Sequence, residues 1–126
     1  MTPNPQIPTE AQEQQALIEW ATLAAHKHPE LALLTHIANE GKRSGRTGAQ
    51  LVRMGLRKGF PDLLLPVARG GYHSLAIELK RSKGGKTSDA QRWWINRLLE
   101  QGYYATVCYG WQDARRVIED YLKGEL

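Results

Sequence analysis

Two short apolar stretches constrain this chain more than anything else in it: Gly59-Phe-Pro-Asp-Leu-Leu-Leu65 and, soon after, Ala76-Ile-Glu-Leu-Lys80. Both read as buried strands, yet Asp62 stands inside the first, and Glu78 and Lys80 inside the second. Charged side chains are rarely buried unless they are paired or bind a metal. Residues two apart on a strand share a face. Leu75, Ile77 and Leu79 therefore point one way, while Ala76, Glu78 and Lys80 point the other. One face builds core and the other presents a carboxylate beside an amine. The turn Ala68-Arg-Gly-Gly71 predicts a hairpin of strands 61–67 and 72–80, which lets Asp62 approach Glu78. Two such carboxylates repel and drive one pKa up unless a cation lies between them. A hard divalent ion with oxygen ligands suits the pair, and Mg2+ suits it best. Lys80 could then orient or deprotonate a water, or stabilise charge on a scissile phosphate. Each motif alone has a plainer reading, because Pro-Asp is a common turn pair and Glu-x-Lys a common exposed ladder. Together, on consecutive apolar strands between basic loops, they favour catalysis.

Those basic loops are the second constraint. Between Gly41 and Pro61 stand Lys42, Arg43, Arg46, Arg53, Arg57 and Lys58, with no acid among them. Lys80, Arg81, Lys83, Lys86 and Arg92 form a second group around Asp89 alone. One such cluster would read as a solvated surface. Two of them flanking buried charges point to a polyanion, because neutralising phosphates releases condensed counterions. The expected contacts to nucleic acid are Lys42, Arg43, Arg46, Arg53, Arg57, Lys58, Arg81, Lys83 and Lys86.

The chain's 126 residues suit one domain. No apolar run nears the roughly 20 residues of a membrane span, and the polar N-terminus predicts no signal peptide. Cys108 is the single cysteine, which excludes an internal disulfide and suits a reducing cytoplasm. Residues 1–8 carry three prolines and predict a loose leader before one domain over 9–126. Thr9 can cap a helix whose Leu17, Trp20, Ala21 and Ala24 face inward and which stops by Pro29. Leu33–Ala38 predicts a strand, and Glu40–Lys58 a long loop with one helical turn near Ala49–Met54. After the hairpin, Ser88-x-x-Gln91 is a capping box for a helix through Trp94, Ile95, Leu98 and Leu99 to Gly102. Tyr103–Gly110 reads as a strand. Asp113–Lys123 reads as a helix with Ala114, Val117, Ile118, Tyr121 and Leu122 inward. The order α-β-β-β-α-β-α implies an α/β fold with a mixed sheet flanked by helices.

Pro61-Asp62 followed by Glu78-Leu79-Lys80 resembles the PD-(D/E)XK nuclease superfamily. Asn39-Glu40, Gly59-Phe-Pro-Asp-Leu, Ile77-Glu-Leu-Lys, Ser88-Asp-Ala-Gln and Gly102 make the nearer likeness its VRR-NUC branch, which includes small stand-alone members found in phages. The likeness runs from about Glu13 to Leu122. It implies a restriction-endonuclease-like sheet and Mg2+-dependent hydrolysis of DNA phosphodiesters, with Mn2+ as a substitute. Asp62 and Glu78 would be metal ligands, the Leu79 carbonyl a third, and Lys80 the catalytic lysine. The family also places an acid on its first helix, for which Glu10, Glu13 and Glu19 are candidates. Glu13 lies one turn before Leu17 on the inward face, whereas Glu19 lies about 200° around from it, so Glu13 is chosen. The family has a glutamine near the metal at the position of Gln91, although the capping box alone would also explain that residue. Stand-alone relatives suggest branched DNA or a Holliday junction as substrate, cut by a homodimer, with a host cytoplasm as the setting for a phage-encoded chain. A restriction-like, sequence-specific nuclease and a non-catalytic DNA-binding module are the alternatives, and intact Asp62, Glu78 and Lys80 argue against the module. His26, His28, His36 and His73 lack ligand spacing. Trp93, Tyr103, Tyr104 and Trp111 are the candidate interface aromatics, with completion of the core as their plainer role.

Overall fold

Thr9 opens the first helix with a reciprocal cap. Its hydroxyl accepts from the Gln12 N–H, while the Gln12 amide oxygen accepts from the Thr9 N–H, satisfying two donors that the helix itself leaves open. The computed structural model describes residues 6–38 and 45–126, the backbone alone for 45–47, and in it helix α1 runs Glu10–Ala24. Pro29 then starts a short 3-10 turn, Pro29–Leu33, where its missing N–H has no bond to lose. That turn takes up the start of the strand expected over Leu33–Ala38, and only Thr35–His36 pairs, as β1. Asn39, Glu40, Lys42 and Arg43 lie outside the described residues, as does the side chain of Arg46. The expected loop is also shorter than read, because helix α2 spans Gly45–Arg53. Gly45 and Gly48 hide the helical preference of Ala49, Gln50 and Leu51.

Strands β2 (Leu63–Leu65) and β3 (Leu75–Lys80) form the expected hairpin. They pair antiparallel with Leu63 opposite Ile77 and Leu65 opposite Leu75. Helix α3, Asp89–Glu100, carries the capping box and leads to β4, Tyr104–Tyr109, which lies parallel to β3. The sheet order is β1-β2-β3-β4. Helix α4, Trp111–Leu122, begins two residues before its expected start. Gly110, at φ 88°, makes the sharp exit from β4 that a side chain would oppose.

The period-two reading of β3 holds. Leu75, Ile77 and Leu79 join Leu63, Leu65, Cys108, Leu17, Ala21, Ile118 and Tyr121 in the larger core, under α1 and α4. Ala76 belongs to a thinner layer with Leu98, Ala105 and Trp94, under α3. Leu99 is exposed, because Trp94, Ile95 and Leu98 already fill the inward stripe and Leu99 lies about 100° beyond Leu98. Tyr103, Tyr104 and Trp111 pack against the cores, which leaves Trp93, 52% exposed, as the outward member of the four expected interface aromatics. Among the described residues no helix is long and apolar enough to cross a membrane.

Candidate metal centre

Continuing the β2–β3 register by one step sets Asp62 against Glu78. Asp62 is held by the strand it faces: its Oδ2 accepts from the Leu79 N–H at 2.9 Å. Its carbonyl accepts from the Ile37 N–H at 2.7 Å and lies 2.9 Å from the His36 ring Nδ1. The β1 edge therefore fixes the backbone and β3 fixes the carboxylate.

Glu78 is 2% exposed. Its Oε2 accepts from the Gln91 amide at 3.0 Å and lies 3.5 Å from the Lys80 Nζ. Its Oε1 is buried without a partner. A buried acceptor in that state is costly and unusual. Burial first, and the charge of Asp62 second, push the Glu78 pKa up to about 8 against the pull of Lys80. The carboxylate is thus built into a place that disfavours its charge unless a cation arrives.

The exposed Glu10, in the first turn of α1, completes a trio. One oxygen from each of Glu10, Asp62 and Glu78 lies within 4.8 Å of the others. Oxygens held at roughly 2.0–2.6 Å from one divalent ion are at most about 4–5 Å apart, so the trio has the span of a single cation. Three carboxylates with an orphaned buried oxygen fit a hard divalent metal. The donor set, all oxygen, matches Mg2+ or Mn2+ better than a metal that seeks nitrogen or sulfur.

Glu13 is buried, as its inward position predicts, but it is not in the trio. Its Oε1 accepts from the Trp111 N–H at 3.1 Å, tying α1 to the first turn of α4. Glu19 faces solvent. The two readings of Gln91 are both realised, by different atoms of one amide. Its oxygen accepts from the Ser88 N–H at 2.9 Å, which leaves its nitrogen to donate to Glu78. Lys80 is 6% exposed. The loop after it folds back so closely that a Cβ on Gly85 would lie 2.9 Å from the Lys80 Cβ. Gly59, at φ 91°, has a similar role beneath Asp62: a Cβ there would lie 2.7 Å from the Ala90 backbone carbon. The turn before Asp62 and the helix carrying Gln91 are pressed together at that point.

Arg53, Arg57, Lys58, Arg81, Lys83 and Lys86 are all exposed. None of them forms an ion pair with a described carboxylate, whereas Arg69, Arg92, Arg97, Arg115 and Arg116 all do. These six are therefore free of carboxylate partners among the described residues.

Comparison with known proteins meets this geometry from outside. The family model of the VRR-NUC domain matches residues 8–112, a span that contains Glu10, Asp62, Glu78, Lys80 and Gln91. The chain is similar to a solved structure described as a VRR_NUC domain protein, with 31% identity, 94% of this chain and 92% of that chain covered, and a TM-score of 0.82. No curated protein matches.

Proposed function

Because the chain belongs to the VRR-NUC domain family, a family of nuclease domains, we propose that it is a divalent-metal-dependent DNA endonuclease acting on branched DNA such as a Holliday junction. One observation carries the reading: three carboxylates lie within a single cation's span, and one of their oxygens, Glu78 Oε1, is buried without a partner. Glu10, Asp62 and Glu78 would hold Mg2+ or Mn2+, with the Leu79 carbonyl as a further oxygen. The bound ion supplies Lewis-acid polarisation of the phosphoryl group and a water acidic enough to attack at neutral pH. Asp62, anchored on the Leu79 N–H, and Glu78, anchored on Gln91, keep their carboxylates at fixed separation without rearrangement. Lys80 holds positive charge at the same place, where it stabilises a phosphate gaining negative charge or moves a proton at its Nζ. Gln91 positions Glu78.

The unpaired Arg53, Arg57, Lys58, Arg81, Lys83 and Lys86 would bind backbone phosphates. Contacts of this kind would fix position on the DNA without reading sequence. Two strands must be cut to resolve a junction, which supports a homodimer with one site per subunit, and the single thiol suits a cytoplasmic setting. The test is incubation with linear, nicked, flapped and four-way DNA in Mg2+, Mn2+ or EDTA. Cutting of the branched substrates in either metal and none in EDTA is expected. Cutting that survives EDTA would remove the metal reading. Preference for one sequence in linear duplex would favour a restriction-like enzyme instead.

A further inference from the structure

Strands β3 and β4 are parallel and end side by side at Lys80 and Tyr109, with Gly110 N–H donating to the Lys80 carbonyl at 2.9 Å. Beyond those carboxyl ends, where open sheets tend to bind ligands, lies a groove of about 670 Å³. Its walls include Gln6, Gln12 and Glu13 from the start of the chain, Ser82 from the loop after Lys80, and Trp111 and Gln112 from the start of α4. Gly110 sits among them. A Cβ there would come within 3.4 Å of the Ser82 Cβ and 3.7 Å of both Gln112 Oε1 and Glu13 Oε2, so the missing side chain leaves that space open.

The wall chemistry is specific. No lysine or arginine lines the groove, although Lys80 stands at the neighbouring trio, so a phosphate is not the fitting occupant. The amides of Gln6 and Gln112, the amide nitrogen of Gln12 (whose oxygen serves the Thr9 cap), a hydroxyl, a buried carboxylate and an indole, with Pro8 and Ala16 between them, complement a flat, neutral ligand with N–H and carbonyl groups on its edge. A nucleobase has that shape and that edge. The groove also lies next to the chemistry, since Glu13 is one helical turn from Glu10 of the trio and Ser82 is two residues from Lys80. We propose that this groove takes the base of an unpaired nucleotide beside the scissile phosphate. This rests on the nuclease reading above and deepens it. A paired and stacked base cannot enter, because its edge and its faces are already occupied, so the nucleotide at the cut must be unpaired, as at a flap, or flipped out of its stack at a distorted point such as a strand exchange.

The test replaces single nucleotides around the cut in a flapped DNA by abasic residues. Cleavage is measured in Mg2+, and binding is measured separately in EDTA by fluorescence anisotropy. One position should lower both by roughly tenfold or more, as loss of a stacked and hydrogen-bonded base does. Ser82→Trp fills the groove from an exposed position, and Gln112→Ala removes one polar wall group. Ser82→Trp should treat intact and abasic DNA alike, and Gln112→Ala should narrow the difference. If no position matters to the wild type, or if the difference persists in Ser82→Trp, the groove is not a base site. If nothing is cut but the EDTA binding difference and its loss in Ser82→Trp remain, the base site stands and the nuclease reading falls.

Discussion

With Asp62 opposite it and both of its partners on one oxygen, Glu78 carries the cost of the site within the folded chain. An unfolded glutamate ionises near 4.5, whereas the folded one holds its proton to about 8. Below 4.5 both states are protonated, and their balance does not depend on this group. Between 4.5 and about 8 the unfolded chain has released the proton and the folded chain has not, so stability falls as pH rises; above that window the dependence ends. Thermal melts in EDTA should therefore drop between pH 5 and 8, and Glu78→Gln should flatten the drop while abolishing cleavage. Added Mg2+ should raise the wild-type midpoint most at the alkaline end. An unchanged slope in Glu78→Gln would show that another group titrates. The two first-helix acids make a second contrast. Glu10→Gln should lose cleavage and melt like wild type, because Glu10 is exposed and serves the trio. Glu13→Ala should destabilise by about 1–3 kcal/mol through the abandoned Trp111 N–H. Glu10→Gln cutting at wild-type rate would remove it from the site. Sequence alone could not separate these two. Glu10 and Glu13 precede Leu17 by about two turns and one turn, so both continue its face. What distinguishes them is height along the axis: Glu10, at the helix start, reaches Asp62 and Glu78, whereas Glu13, one turn on, meets Trp111.

At the scale of elements, the centre depends on how α3 is fastened to the turn that leads into Asp62 and β2. Gly59→Ala would force a Cβ against the Ala90 backbone and place alanine at φ 91°, a conformation costing about 1–3 kcal/mol in itself. Either the helix or the turn must shift, so Gln91 and Asp62 would separate. Ser88→Ala removes only the hydroxyl cap, at about 1 kcal/mol, and the Ser88 N–H still holds the Gln91 oxygen. Melting temperature and cleavage rate, measured together, should show Gly59→Ala losing far more activity per degree of stability lost than Ser88→Ala. Equal losses would mean that the two merely loosen the fold. The elements that could be read in advance were those whose signals are local. The period-two charges of β3, the capping box of α3 and the turn between β2 and β3 each dictate their own geometry. β1 and α2 could be read in place, as a strand within Leu33–Ala38 and a helical turn near Ala49–Met54, but not in extent. β1 is strand only where β2 happens to pair with it, and α2 begins among glycines that argue against any helix.

At the scale of the whole molecule, charge and copy number decide what the site can reach. Among the exposed unpaired cations, Arg57 and Lys58 precede the metal centre by only a few residues. Replacing both by alanine should reduce the salt dependence of DNA binding in EDTA by about one to two units of log–log slope, with little change in the melt. An unchanged slope would place the DNA elsewhere. Copy number follows from the chemistry: the described residues hold one trio, a junction presents two strands, and the commonest way to align two sites is a closed twofold dimer. The surface available for this is narrower than the aromatic content suggested, since Tyr103, Tyr104 and Trp111 complete the cores. Trp93 stays half out of them, with the Arg97 guanidinium 5.4 Å above its ring. Its ring also meets Trp94 edge-on, and this half-exposed Trp is the expected seam. Light scattering at micromolar concentration should report a dimer, and Trp93→Arg should shift it towards monomer without unfolding it. Mixing wild-type with Asp62→Asn subunits should give junctions nicked on one strand, because each mixed dimer carries one working trio. A strict monomer that still cut both strands of one junction in concert would show that the second cut needs no second chain.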